Sequence, residues 1–460
     1  MTTEPLVQPI IQPIELERAA LLALHAAYPE RYPALLESAA SGRPLGRYDI
    51  LFAFPRASLT LSASGLHANG LDALESTAFL HELDRWWRRE RSPSSNVLPF
   101  TGGWLLYLGY ELANQIEPKL MLPAPASGPI AQALRIPAAI VFEHETKQAF
   151  LVVERGHEAL IEQFATDIAS CKQRAQREGA LIVGEVAEDP PQQYLNAIAR
   201  ALEHIAAGDI YQANLSRGWR TQLASGVRPS DVYLRLRQTN PAPFSAIAQF
   251  GELSIVSSSP ERLVQVRDGG VATRPIAGTR PRGADRDADE QLVRELRAHP
   301  KERAEHIMLI DLERNDLGRI CEAGTVEVNE YMTVESYAHV HHIVSNVRGR
   351  LRTGVAPGQV LSAVFPGGTI TGCPKIRCME LIAELEGQPR GAYTGSLGYL
   401  NLDGSMDMNI LIRTIEIRAG QLTFRAGGGI VADSVPLREL EEARAKARGL
   451  VRALSQDGQP

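Results

Sequence analysis

Residues 365–375 read FPGGTITGCPK, 392–399 read AYTGSLGY, 407–414 read DMNILIRT and 426–434 read AGGGIVADS. Three of these four segments carry glycines, and all four fall within about seventy residues, with Lys375, Tyr393 and Arg413 among them. Glycine is placed where a backbone must approach another group closely or adopt positive φ. A cation, a phenol and a guanidinium beside such backbone suit a small anionic ligand. Taken singly, each segment also reads as an ordinary hairpin turn.

Working outward, the chain of 460 residues is too long for one simple core, which leaves two or three domains or one large intertwined unit. The formal charge is −6 and both signs are well mixed, so no basic stripe points to nucleic acid. Cys171, Cys321, Cys373 and Cys378 form no CxxC pair and have no histidine at zinc-ligand spacing, which suits a reduced, cytoplasmic protein. The first twenty residues carry acids and prolines and no basic stretch, and read as neither signal peptide nor membrane span.

Local patterns give the elements. Residues 15–27 read as an amphipathic helix, 48–53 (YDILFA) as a strand, 91–99 (RSPSSNVLP) as a loop and 138–153 as a hairpin. The polar break at 185–193 (EVAEDPPQQ) suggests a boundary between an N-terminal domain, 1–185, and a second domain, 190–455. Beyond it, Tyr194, Leu195, Ile198, Leu202 and Ile205 share one helical face, Gly208 ends that helix, and IYQANLSRGW begins a strand. There is no βαβ rhythm and no GxGxxG after a strand, which argues against a dinucleotide-binding fold. The expected architecture is α+β, with antiparallel β-sheets and helices packed outside.

Two helices carry spaced glutamates. Glu302 and Glu305 in KERAEHIMLIDLERNDLGRI stand i,i+3. Glu439, Glu442 and Lys446 in SVPLRELEEARAKARGLVRAL occupy an arc of about 60°, beside the apolar stripe that runs through Leu440, Ala447 and Leu454. Two ExxE pairs converging from separate helices would hold one hard divalent cation such as Mg²⁺, with a substrate anion completing its shell. Solvated helices with Glu–Lys pairs are the other reading of the same spacing.

Together the motifs PIAGTRPRG (275–283), ERNDLGRI (313–320), HHIVSNVRG (341–349), GGTITGCPK (367–375) and AGGGIVADS resemble the chorismate-utilising enzymes, in that family's order. The likeness covers at least 190–455 and extends more weakly towards the N-terminus. It implies the anthranilate synthase component I type of fold. Glu305 and Glu442 would be the main Mg²⁺ ligands, supported by Glu302 and Glu439, and the metal would hold the ring carboxylate of chorismate. Gly278, Thr279 and the backbone of Gly427, Gly428 and Gly429 would hold the ring. Tyr393 and Arg413 would grip the enolpyruvyl carboxylate, since a guanidinium fork can bond a carboxylate twice. Lys375 would add positive charge, and His342 would lie beside the ring unless it is a packed core histidine. Glu261, in SSSPERL, matches the acid that protonates the departing C4 hydroxyl; a surface pair with Arg262 is its other reading. A working acid there should have a raised pKa.

Gln212, in IYQANLS, matches the position of the lysine that serves as base in the water-adding branches. Glutamine cannot deprotonate water, so the resemblance implies an amine-adding enzyme. NPAPFSA (240–246), FPGGTITG, AYTGSLGY and AGGGIVADS look like the branch that makes 4-amino-4-deoxychorismate for p-aminobenzoate and folate. Against this, Ala277 stands where the best-known enzymes of that branch carry a covalent lysine, as it does in the anthranilate branch. No cysteine sits in a nucleophile elbow, so ammonia is expected from a separate glutamine amidotransferase subunit. An inactive chorismate-binding scaffold is the reading outside enzymology. Leu36, Glu37 and Ser38, with Arg47 nearby, match a tryptophan pocket that is regulatory or structural in the family; LLES also reads as a helix end.

Overall fold

A computed structural model describes residues 8–39, 46–93, 98–171, 179–283, 285–336 and 340–455. Residues 94–97 of the expected 91–99 loop lie outside this set. The fold is α+β: two antiparallel sheets, of 12 and 11 strands among the described residues, with helices against their outer faces. No described helix is long and apolar enough to cross a membrane.

Strand periodicity builds three core layers. Along Tyr48–Ala53 every residue from Asp49 to Ala53 is buried. Ile50 and Phe52 point into the layer between the sheets, while Leu51 and Ala53 point towards the helices outside the first sheet. Gly103–Leu108 does the same in the second sheet. Leu105 and Tyr107 face the first sheet, whereas Trp104, Leu106 and Leu108 face the helices Phe79–Glu90, Pro300–Gly318 and Pro357–Val364. Successive strand side chains alternate faces, so a strand sandwiched on both sides needs an unbroken apolar run. Each buried Leu or Phe contributes roughly 1.5–3 kcal/mol.

Both sheets take strands from either side of the polar break. In the first, Ala34–Glu37 pairs with Phe244–Phe250, with Leu36 opposite Ala246. In the second, Gly103–Leu108 pairs with Ser396–Asn401, with Leu105 opposite Tyr399. The break itself is structured. Ile182–Glu188 is the strand at one end of the first sheet, pairing with Gln212–Leu223, and a helix starts at Pro191. Proline in the first helical position loses no intrahelical hydrogen bond.

Other elements follow local rules. The N-terminal helix runs Arg18–Ala27, starting later than the apolar pattern suggests, with Leu21, Leu22 and Leu24 buried. The 138–153 hairpin forms as Ala138–Glu143 paired with Gln148–Val153. LLES is not a helix end; Ala34–Glu37 is a strand.

Candidate active site

One cavity of about 850 Å³ receives residues from both sheets and both acidic helices. The acidic helices are Pro300–Gly318 and Pro436–Leu454, each with a proline in its first turn and a glutamate, Glu302 or Glu439, in the same turn. The partial positive charge at a helix N-terminus favours a carboxylate there. Glu302, Glu305, Glu439 and Glu442 all line the cavity. Arg280 lies 3.2 Å from Glu302, and Lys446 lies 2.8 Å from Glu442 and also donates to the Gly427 carbonyl at 2.9 Å. The four carboxylates bring hard, anionic oxygen to this wall.

That donor set fits Mg²⁺, which takes few protein carboxylates and keeps positions for water and a substrate anion. Among the described residues no three His, Cys, Asp or Glu side chains are already gathered as a metal cluster. The glycine strand explains how the acids come close. A Cβ on Gly428 would sit 3.5 Å from Glu442 Oε1 and 3.7 Å from Glu439 Oε2, and one on Gly278 would sit 2.9 Å from Glu302 Oε2. Gly278 also has φ of +69°, a region that favours glycine.

Gly427 and Gly429 line the cavity too, on Gln421–Ile430. A side chain at Gly427 would run into the Leu215 carbonyl, and a Cβ at Gly429 would meet Gln212 Nε2 at 2.3 Å. Gly429 is paired with Asn214 on the neighbouring strand. The run of glycines therefore marks close approach by backbone and side chains, as well as a cavity wall. Thr279 lies opposite His342 in the pairing of Ile276–Pro281 with Val340–Arg350, and its side chain is outside the described set.

Glu261 is buried on the cavity wall. Burial pushes its carboxyl up to about 7, against the opposing pull of Thr369, the Ile276 N–H and Arg413. Arg262 does not pair with it; both of its bonds to Asp407 are 2.8 Å. Glu261 is thus a carboxyl poised to give up a proton near neutrality. His342 lines the same wall, and burial lowers it to about 3, so its imidazole is neutral.

Arg413 and Tyr393 complete the cationic and phenolic side. Burial lowers Arg413 while Glu261 raises it. Its φ of +52° is unusual for a non-glycine residue and is held by the Ser258 N–H bonding its carbonyl at 3.1 Å. Tyr393 stands under Arg390, 5.6 Å from guanidinium to ring centre. Arg390 and Arg425 share the buried Glu386 at 2.7 and 2.9 Å.

Not every expected residue joins this cavity. Lys375 is absent from its wall, and its Nζ meets Asp316 at 2.6 Å. Leu36, Glu37 and Ser38 line a second cavity of about 490 Å³, together with Arg47, Phe244, Arg262 and Asp407. Glu37 is buried there, accepting from Arg237 at 2.9 Å and from Tyr233 at 2.5 Å. Pro243 lines both cavities. Sequence reasoning missed Arg280, Asn214 and Arg425. Asn214 had a signal, since it lies two residues from Gln212 on one strand and so shares its face.

The chain is similar to known proteins over most of its length. The family described as chorismate binding enzyme matches residues 33–452. Anthranilate synthase component 1 of Pseudomonas aeruginosa is 40% identical over 92% of this chain and 90% of its own length. Aminodeoxychorismate synthase component 1 of Bacillus subtilis is 38% identical over 82% of each chain. The crystal structure of anthranilate synthase component I from Streptococcus pneumoniae superposes with a TM-score of 0.80 at 31% identity, covering 89% of this chain and 93% of that one.

Proposed function

Since the chain belongs to the chorismate-binding enzyme family, we propose that it aminates chorismate with ammonia to 4-amino-4-deoxychorismate, in a Mg²⁺-dependent reaction that leads to p-aminobenzoate and folate. The observation that carries the reading is the meeting of Glu302, Glu305, Glu439, Glu442, Glu261, Arg413 and Gln212 in one cavity. That cavity offers carboxylates for a cation, a cation for a carboxylate, a protonated acid, and glutamine at position 212, where the water-adding branches carry lysine.

Glu305 and Glu442 would hold Mg²⁺, with Glu302 and Glu439 in support. Bound there, the ion would neutralise the ring carboxylate and polarise the conjugated system. Arg413 and Tyr393 bind the enolpyruvyl carboxylate and orient the ring. Glu261 gives its proton to the C4 hydroxyl, which leaves as water. The ammonia lone pair forms the new C–N bond, and the nitrogen then loses a proton. Gln212 cannot deprotonate water, which favours ammonia as the nucleophile.

The 4-amino product is supported by the segments around Asn240, Tyr393 and Gly429, which line the cavity and follow the wording of that branch. Ala277, also on the wall, favours a second reading, anthranilate with loss of pyruvate, and many relatives carry that name. We further place a separate glutamine amidotransferase subunit as ammonia donor, tryptophan in the second cavity, and the protein in the cytoplasm, where its four free thiols would stay reduced.

Product analysis by mass from chorismate, ammonium and Mg²⁺ tests the proposal. A product that keeps the enolpyruvyl group and yields 4-aminobenzoate with a 4-amino-4-deoxychorismate lyase supports it. Anthranilate and pyruvate without any lyase overturn it in favour of the second reading. No consumption of chorismate overturns both.

A further inference from the structure

We propose that Gln212 and Asn214 together seat the nitrogen nucleophile: their two amide oxygens accept hydrogen bonds from one ammonia molecule. This rests on the amination reading above. The residues stand i,i+2 on Gln212–Leu223, so their side chains leave the same face of the sheet. Both line the cavity, and they are only 2% and 9% exposed. Among the described residues, neither Gln212 Oε1 nor Asn214 Oδ1 meets a hydrogen-bond partner.

Asn214 is held by its backbone and its amide nitrogen, and among the described residues its Oδ1 is left without a donor. Its backbone N–H donates to the Thr371 carbonyl at 2.8 Å, its carbonyl accepts from Arg390 at 2.6 Å, and its Nδ2 donates to the Thr369 carbonyl at 3.4 Å. Gln212 places its Nε2 over Gly429, in space that any side chain there would fill. A buried acceptor without a donor is costly, so the natural occupant carries N–H or O–H groups.

Ammonia supplies two N–H donors to two oxygens and keeps its lone pair for the ring. The C–N bond forms from that pair, the C–O bond breaks with the proton from Glu261, and the added nitrogen loses one proton to solvent, from which the Glu261 carboxylate regains its own, so chorismate plus ammonia gives aminated product plus water. A water molecule held by the same oxygens stays unreactive, because neither amide takes its proton.

Gln212→Met and Asn214→Leu remove the acceptors with little change of volume. Ammonia is varied at saturating chorismate, and chorismate at saturating ammonia. The expected result is a KM for ammonia raised ~10-fold or more in each variant, with the KM for chorismate within about twofold. An unchanged ammonia KM, or a chorismate KM rising by the same factor, overturns the seat. Where thermal unfolding shows that an apolar variant does not fold, Gln212→Ala and Asn214→Ala make the same comparison under the same criteria. Wild-type protein that leaves chorismate untouched with ammonium and Mg²⁺ overturns the amination reading itself; wild-type turnover with unshifted variants overturns only the seat.

Discussion

Lys375 and Asp316 form an almost buried ion pair, Nζ to Oδ2 2.6 Å, behind the glycine turn that faces the active-site cavity. Glu313, one helical turn before Asp316, is buried with them. Burial and the neighbouring Asp316 push Glu313 up to about 8, and burial also raises Asp316 while Lys375 pulls it down. Lys375→Met leaves two buried acids without the ammonium that bonds Asp316, at a cost of about 3 kcal/mol. Both carboxyls then hold their protons more tightly in the folded state than in the unfolded one. The loss should therefore grow as pH rises, with the melting temperature falling further at pH 8 than at pH 5. The KM for chorismate should change less than threefold; a large rise with unchanged melting would place Lys375 at the substrate.

Glu261 gives a pH signature of the opposite kind to a surface carboxylate. Its folded pKa of about 7 stands above the ordinary 4.5, so the fold binds this proton more tightly than the unfolded chain does. The group is without cost below about pH 4.5 and lowers stability progressively up to about pH 7, by roughly 3 kcal/mol at most. Glu261→Gln should raise the melting temperature at pH 8, leave it unchanged near pH 4, and reduce turnover at least ~1000-fold. At fixed free ammonia, wild-type kcat should fall above about pH 7 with loss of one proton.

The four glutamates should divide into two grades. Glu305→Ala or Glu442→Ala should abolish Mg²⁺-dependent turnover with the circular dichroism spectrum intact. Glu302→Gln or Glu439→Gln should raise the Mg²⁺ concentration for half-maximal rate ~10- to 100-fold. Chorismate consumption across a Mg²⁺ titration reads both grades. Equal effects at all four positions would remove the distinction, and activity undiminished by EDTA would remove the metal.

Arg413 tests recognition of the anion. Arg413→Ala should raise the KM for chorismate ~10- to 100-fold, the range expected for a charged hydrogen-bonded pair. Arg413→Lys should fall between that variant and the wild type, because it keeps the charge and loses the fork. Steady-state kinetics with chorismate varied decides it. A KM left unchanged in both variants would mean that the enolpyruvyl carboxylate lies elsewhere.

Much of the architecture is legible from short-range pattern. YDILFA announces a strand through its apolar run ILFA, and the structure buries both faces of that run. The ExxE spacing places Glu302 with Glu305, and Glu439 with Glu442, on single helix faces without reference to any other part of the chain. The glycines of AGGGIVADS mark a backbone in close contact, although Leu215 and Gln212 supply part of the reason. Asn214 was as visible as Gln212 by strand period, yet its importance lies in a buried oxygen left without a donor, which no spacing reports.

The sequence by itself determined which side chains share a face, where turns are needed and which family's motifs occur, because those properties depend on neighbours a few residues away. Only the tertiary structure decided that two acidic helices far apart in the chain open onto one cavity, that Lys375 serves Asp316, that Leu36, Glu37 and Ser38 line a different cavity, and that both sheets draw strands from either side of the polar break. The physical reason is that pairing between distant faces is chosen by burial and charge compensation summed over the whole molecule.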